Sequence, residues 1–250
     1  MKILITGGTG KLGKSLIKAF PESMAPTRKE FDITKKETVF EYIKKNKPDI
    51  IIHAAALVDI RLCEADKKMA WKTNVIGTKN IIDAIKNFSH QTFFVYLSTA
   101  CVFSGESGNY TEESIPNPKN FYSLTKLLGE IETKSLEKYL IIRTNFVPRE
   151  KWKYPKAFTD RFGTYLFSDD VAMALKDVIK RKIEGIVHIC GNRKMSMFQL
   201  AKITTPDIKP ITLREYSGPH VTKNMTLNTI RWKKYKIGFS YENKKKPAIS

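Results

Sequence analysis

The sequence predicts an α/β chain, a doubly wound parallel sheet with a small C-terminal lobe, and three observations carry that expectation. Lys2-Ile3-Leu4-Ile5-Thr6 is a short apolar run that reads as a buried parallel strand. The glycine turn Gly7-Gly8-Thr9-Gly10-Lys11-Leu12-Gly13 follows at once and opens a helical stretch from Lys14 to Phe20. Strand-like runs then alternate with helical ones as far as residue 144, the order of a sheet covered on both faces.

The elements follow in turn. A short strand is expected at 23–26. Thr34 is read as the cap of a helix running to about Lys45, with Glu37 three residues on completing a capping box. Residues 49–53 form the third strand, 65–87 a long helical stretch and 92–97 the fourth strand. A polar loop carrying Gly105, Gly108, Pro116 and Pro118 leads to a helix over 122–138 and a fifth strand over 139–144. Beyond it, 146–161 is rich in proline, aromatic and basic residues. A helix over 168–182 with Ser168 as its cap, a strand over 185–189 and a short helix over 196–203 complete the pattern. Residues 1–145 thus form the sheet-bearing domain. Residues 146–250 form a small lobe interleaved with late elements of the sheet, the whole being one compact unit.

A chain of 250 residues can bury one sizeable core, and 42% hydrophobic against 28% charged residues is the balance of a soluble globular protein. No apolar run approaches the roughly 20 residues that span a bilayer, and the first residues run into a glycine turn rather than a signal-peptide core. Cys63, Cys101 and Cys190 form no CxxC pair, so a reducing, cytoplasmic setting is expected, with no membrane partner and no metal site. The net charge of +19 is spread over short clusters such as Lys44-Lys45, Lys233-Lys234 and Lys244-Lys245-Lys246. Without a basic stripe interleaved with aromatics it reads as a solvated face that attracts anionic ligands, not as a nucleic-acid surface.

The glycine spacing G-x-x-G-x-x-G matters because of its setting between a strand and a helix, the context of a Rossmann-type dinucleotide site. Gly7 permits the tight turn, Gly10 lets the backbone approach a pyrophosphate, and Gly13 lets the helix pack against the strand. The helix N-terminus offers its free amides to the phosphates, with Thr9, Lys11 and Leu12 in the same turn. Downstream of the second strand stand Thr27-Arg28-Lys29, with no acid before Glu30. A basic residue at that point accommodates the extra phosphate of NADP, so NADPH is favoured, with Arg28 as its reader and NAD kept as an option. Asp32 and Ile33 are then expected beside the adenine.

Tyr122 and Lys126 lie four apart near the start of a helix and share a face. A lysine ammonium beside a phenol is expected to lower its pKa and let it exchange a proton near neutral pH. A hydroxyl at Ser98 or Thr99, at the end of the fourth strand, can polarise a substrate carbonyl. The order of glycine turn, Ser-Thr and Tyr-x-x-x-Lys points to reduction of a keto group.

With these residues in place the chain resembles the extended short-chain dehydrogenase/reductases, and most closely the dTDP-4-dehydrorhamnose reductase group. The segments that carry the resemblance are residues 6–13, Phe31-Asp32-Ile33-Thr34, His53-Ala54-Ala55-Ala56, Thr73-Asn74-Val75-Ile76-Gly77-Thr78, and residues 97–105, 121–130, 167–174 and 187–191. The resemblance implies that Thr99 orients the carbonyl, Tyr122 donates the proton and Lys126 is its partner. It implies that Ala54, Ala55 and Ala56 line the cofactor, that Asn74 fixes helix geometry, and that the substrate is a nucleotide-linked 4-keto-6-deoxyhexose. A homodimer is a possible assembly.

Two departures from the group's pattern open alternatives. The group's Ser-Thr-Asp-Tyr-Val-Phe is here Ser98-Thr99-Ala100-Cys101-Val102-Phe103. Cys101 falls where bifunctional 3,5-epimerase/4-reductases, which make nucleotide-linked sugars such as UDP- or dTDP-rhamnose, carry an epimerisation cysteine. No histidine stands in the loop after the fifth strand, though Lys153 and Lys156 do; the plain reading of Cys101 is a small buried thiol. The stretch between Thr144 and Ser168 is also short for the family, and Trp152, Tyr154 and Phe158 could stack on a nucleotide base or fill a small core. A third reading is a non-catalytic NADP-binding regulatory subunit, which has no chemical need for an intact Thr99, Tyr122 and Lys126.

Overall fold

The computed structural model describes residues 1–245. In chain order the first half contains β1 (Ile3–Thr6), α1 (Lys11–Ala19), α2 (Lys36–Asn46), β2 (Ile50–His53), α3 (Ile60–Ala65), α4 (Lys67–Trp71), α5 (Gly77–Phe88), β3 (Phe93–Leu97), α6 (Phe121–Thr133) and β4 (Tyr139–Thr144). The second half contains β5 (Phe146–Val147), β6 (Lys156–Phe158), β7 (Phe162–Gly163), β8 (Leu166–Phe167), α7 (Ser168–Lys180), β9 (Gly185–Ile189), β10 (Met195–Ser196), α8 (Met197–Lys202), β11 (Lys209–Ile211), β12 (Asn224–Met225) and α9 (Phe239–Lys245).

The central sheet runs β1-β2-β3-β4-β9, and every pairing is parallel. Side chains alternate across a strand, and both faces are covered. Ile3, Ile5, Ile50, Ile52, Val95, Leu97, Leu140, Ile142, Val187 and Ile189 meet α1 and α7 on one side. Leu4, Ile51, Phe94, Tyr96 and Ile141 meet α2 and α5 on the other. Double burial explains why these strands read as continuous apolar runs. The strand expected at 23–26 shrinks to a single bridge, Leu4 to Met24, on the outer edge of β1. The chain therefore reverses direction about β1, and the crevice at the strands' carboxyl ends opens between β1 and β2.

Two caps differ from expectation. Thr34 does not cap α2: its amide and hydroxyl both donate to Asp32 Oδ1, and the helix starts two residues later behind Lys35 without a side-chain cap. Ser168 is the first residue of α7, whose N-cap is Phe167; Asp170 Oδ2 accepts the Phe167 amide. The helical stretch over 65–87 is interrupted by a π-helical turn, Lys72–Ile76, which carries Asn74. The chain after α7 returns to the sheet as β9, and the three-stranded sheet β10-β7-β12 forms the heart of the lobe. Among the described residues, no helix is long and apolar enough to cross a membrane.

One buried ion pair locks the sheet to α6. Arg143 on β4 donates from Nε to Glu130 Oε1 at 3.0 Å and from Nη2 to Oε2 at 2.7 Å, and Ser98 Oγ donates to Glu130 Oε1 at 2.5 Å. The arginine and glutamate side chains are 2% and 1% exposed. Removing one partner of such a pair leaves a charge stranded in the core, at a cost of about 3–5 kcal/mol, whereas replacing both by apolar groups is far milder. Glu130→Ala is expected to lose stability on that scale in urea unfolding, and Glu130→Leu combined with Arg143→Met to recover much of it; an unchanged midpoint for the single variant would refute the clamp.

Candidate active site

The glycine turn is built as its spacing requires. Gly7 has φ of 71°, and a Cβ there would stand 2.7 Å from the Ala55 backbone. At Gly13 a Cβ would lie 2.1 Å from the Gly7 carbonyl oxygen, so only glycine lets α1 sit this close to the end of β1. Gly10 is the N-cap of α1. Thr9 and Lys11 are exposed beside it, while Leu12 turns into the core. Ala54, Ala55 and Ala56 leave the end of β2 half-buried, and the Ala55 amide donates to Thr6 Oγ1 at 3.2 Å. The two carboxyl-end segments thus face each other across small residues, a cradle that side chains would fill.

A chain of hydrogen bonds fixes this cradle from below. Thr6 Oγ1 and His53 Nδ1 are 2.7 Å apart, and His53 Nε2 and Thr78 Oγ1 are 3.1 Å apart. Thr78 donates its own proton to the Asn74 carbonyl, so the network assigns the His53 proton to Nε2. Burial, helped by the Lys126 charge, pushes the His53 pKa down to about 3, and the ring is neutral and structural. Asn74, aimed by the π turn, accepts the Leu57 amide and donates to the Leu57 carbonyl and to Thr125 Oγ1 on α6. It joins the segment after β2 to the helix that carries Tyr122.

At the outer end of the crevice, Arg28 is 79% exposed and 3.6 Å from Asp32. It borders a recess of about 300 Å³ together with Thr34, Asp66, Lys68, Met69, Lys72 and Thr73. Lys68 and Lys72 were not singled out from the sequence. Their i,i+4 spacing was the available signal, though exposed lysine pairs are common in a chain this basic. Ile33 is buried in the core against Gly77 rather than facing outwards.

The start of α6 is held twice, by Asn120 Oδ1 accepting the Ser123 amide and by Glu64 accepting the Phe121 amide. Thr99, Cys101 and Tyr122 come together behind it, all nearly buried. Of the two candidate hydroxyls, Ser98 is spent on Glu130. Thr99 Oγ1 accepts the Cys101 amide at 3.1 Å, and the Thr99 hydroxyl acts electrostatically on the Tyr122 phenol.

The expected lowering of the Tyr122 pKa is not found. Burial, reinforced by Cys101, raises it well above the ordinary value, and the Thr99 hydroxyl only partly opposes this. The reason is geometric: Lys126 Nζ lies 4.1 Å from the centre of the Tyr96 ring. Among the described residues that ammonium has no hydrogen bond or ion pair. Burial lowers its pKa to about 7, while Glu130 opposes the fall.

Cys101 Sγ sits 3.3 Å from Met225 Sδ, against a lobe strand. Of the histidines, His53 and His188 are bonded in the core, His90 and His220 are exposed, and the His220 carbonyl accepts from Asn120 Nδ2 at the start of α6. Lys153 and Lys156 are exposed too, and Lys153 lies over the Tyr154 ring. Trp152 and Tyr154 contact each other, Phe158 contacts Tyr216, and Arg61 from α3 reaches over Tyr216. Arg161 and Tyr165 approach from the lobe, and nothing in the sequence marked them.

Comparison with known proteins agrees with this architecture. The model of the RmlD substrate binding domain family matches residues 1–232. A dTDP-4-dehydrorhamnose reductase of Aggregatibacter actinomycetemcomitans is 31% identical over 80% of this chain and 76% of its own length. The beta subunit of methionine adenosyltransferase 2 from Rattus norvegicus is 28% identical over 95% of this chain and 83% of its own. Among solved structures, the dTDP-4-dehydrorhamnose reductase of Bacillus anthracis in complex with NADP superposes with a TM-score of 0.87 at 23% identity, covering 97% of each chain. The chain belongs to the RmlD substrate binding domain family.

Proposed function

We propose that the protein is an NADPH-dependent reductase of a nucleotide-linked 4-keto-6-deoxyhexose, of the dTDP-4-dehydrorhamnose class named for its bacterial relatives. The observation that carries the reading is Lys126, buried with its Nζ 4.1 Å from the Tyr96 ring centre and without an anionic partner among the described residues, on the same helix as the buried Tyr122. The glycine cradle fits a dinucleotide, and Arg28, Lys68 and Lys72 supply cations at its adenosine end for a 2′-phosphate. The cofactor, when bound, supplies the hydride.

The chain's own residues do the rest. Tyr122 stays a phenol across the working pH range, so it holds the proton that the C4 oxygen takes. Thr99, whose oxygen is held by the Cys101 amide, orients that oxygen. Lys126 holds ribose hydroxyls and contributes positive charge where the phenol gives up its proton. Cys101 is buried against Met225 Sδ at 3.3 Å, which favours the plain reading of a packed thiol and reduction without epimerisation. The likeness to the beta subunit of methionine adenosyltransferase 2 bears on the alternative of a non-catalytic NADP-binding regulatory subunit, but such a subunit has no chemical need for the Thr99, Tyr122 and Lys126 set.

NADPH oxidation with dTDP-4-keto-6-deoxyglucose separates these readings. Turnover is expected, and Tyr122→Phe should lower kcat by about 10²–10⁴-fold while leaving NADPH affinity unchanged. A wild-type protein that binds NADPH without turning over would favour the regulatory reading.

Cofactor choice is tested at Arg28. The wild type should prefer NADPH to NADH, and Arg28→Ala should cut that preference about tenfold, the worth of one exposed charge-assisted contact. An NADH-preferring wild type would reject the assignment.

The sign of the pH effect follows from Lys126. In the free protein its pKa is about 7, and the anionic cofactor stabilises the charged form and raises it. NADPH binding above pH 7 should therefore take up a proton, and affinity should weaken as pH rises from there towards the raised pKa of the complex. Calorimetry in buffers of different ionisation enthalpy measures the uptake, which should vanish in Lys126→Met; equal uptake in both proteins would exclude Lys126 as its source.

A further inference from the structure

The two most deeply buried arginines of the chain are treated in opposite ways. Arg143 has a bidentate carboxylate in Glu130. Arg161, just before β7 and 9% exposed, has no carboxylate partner among the described residues. Its Nε donates to the Thr222 carbonyl at 2.9 Å. Nη1 and Nη2 reach only the thioethers of Met197 at 3.3 Å and Met225 at 3.5 Å. Thioether sulfur is a weak acceptor, so most of a five-donor guanidinium goes without an oxygen in a region largely closed to water.

Two more polar atoms around it are in the same condition. Tyr165 Oη and Thr222 Oγ1 are buried without a hydrogen-bond partner. Thr222 supplies the carbonyl that Arg161 Nε holds, and the Arg161 charge acts on Tyr165. Buried polar groups in folded proteins are nearly always paired, and an exception calls for an explanation. A buried cation beside residues whose hydroxyls also lack partners supplies the donors an oxyanion needs.

Their position ties them to the reacting centre. Met225 Sδ touches both Arg161 Nη2 and Cys101 Sγ. Cys101 and Met225 in turn pack in one buried cluster with Tyr122. The arginine therefore approaches the proton donor from the lobe side. β7, held between β10 and β12, fixes the backbone from which it projects.

We propose that Arg161, with Tyr165 Oη and Thr222 Oγ1, is a binding site for an oxyanion of the substrate. The proposal rests on the nucleotide-sugar reading above. The guanidinium fork matches phosphate and carboxylate alike. The oxyanion is thus either the phosphoryl group next to the sugar or a carboxylate carried on the sugar ring.

The test uses the full chain saturated with NADP, so that the dinucleotide site is filled. Isothermal titration with dTDP-glucose and with UDP-glucuronate is compared for wild type, Arg161→Gln and Arg161→Lys, with inorganic pyrophosphate as a third probe in thermal unfolding. Unchanged NADP affinity certifies that a variant is folded. The expected result is a loss of at least tenfold in nucleotide-sugar affinity for Arg161→Gln, with partial recovery in Arg161→Lys. Loss with both sugars identifies the phosphoryl group; loss confined to UDP-glucuronate identifies a ring carboxylate. Folded Arg161→Gln binding both sugars like wild type overturns the proposal. If Arg161→Gln does not fold, Arg161→Lys decides: it keeps the charge and loses the fork, so weaker binding supports the site and equal binding overturns it. If wild type binds neither sugar, the nucleotide-sugar reading fails on its own. Pyrophosphate then decides the anion site: a rise in Tm for wild type that Arg161→Gln lacks supports it, and no such difference overturns it.

Discussion

The carboxylate of Glu130 is the point on which the site's geometry depends. It lies in the core between Ser98, at the end of β3, and Arg143, on β4, and it belongs to the helix that carries Tyr122 and Lys126. One buried anion thus ties together the strand end that presents Thr99, the neighbouring strand and α6. The same charge opposes the fall in the Lys126 pKa. Structure and electrostatics are coupled through this group, because a charge held in the core is felt by its neighbours with little screening by water.

A second constraint acts at the other wall of the crevice. Gly7 and Gly13 bring the backbones of β1, α1 and the segment after β2 closer than any side chain would allow. The Thr6, His53, Thr78 and Asn74 network then holds the floor in one arrangement. His53 does this as a neutral ring, since its burial makes protonation too costly to occur near neutrality. The cofactor cradle is thus preformed from backbone and small residues, and the cations that would recognise a phosphate stand at its margin.

Burial also sets the chemistry. Tyr122 is kept protonated by its surroundings and not made acidic by Lys126, whose ammonium turns to the Tyr96 ring. In the direction of reduction this suits a proton donor. The lysine's own pKa is lowered by the same burial.

The sequence by itself determined the alternation of strands and helices, the glycine turn, and the order of Thr99, Tyr122 and Lys126, because these are local patterns. Apolar runs mark strands buried on both faces, and glycine spacing marks close backbone approach. What it could not convey are competitions and meetings in space: that Ser98 is claimed by Glu130 while Thr99 is not, that Thr34 serves Asp32 instead of capping α2, that Lys68 and Lys72 join Arg28, and that Arg161 meets Cys101 through Met225. Those were decided by the tertiary structure, since hydrogen-bond competition, desolvation and charge pairing depend on which groups are brought together in space, whatever their spacing along the chain.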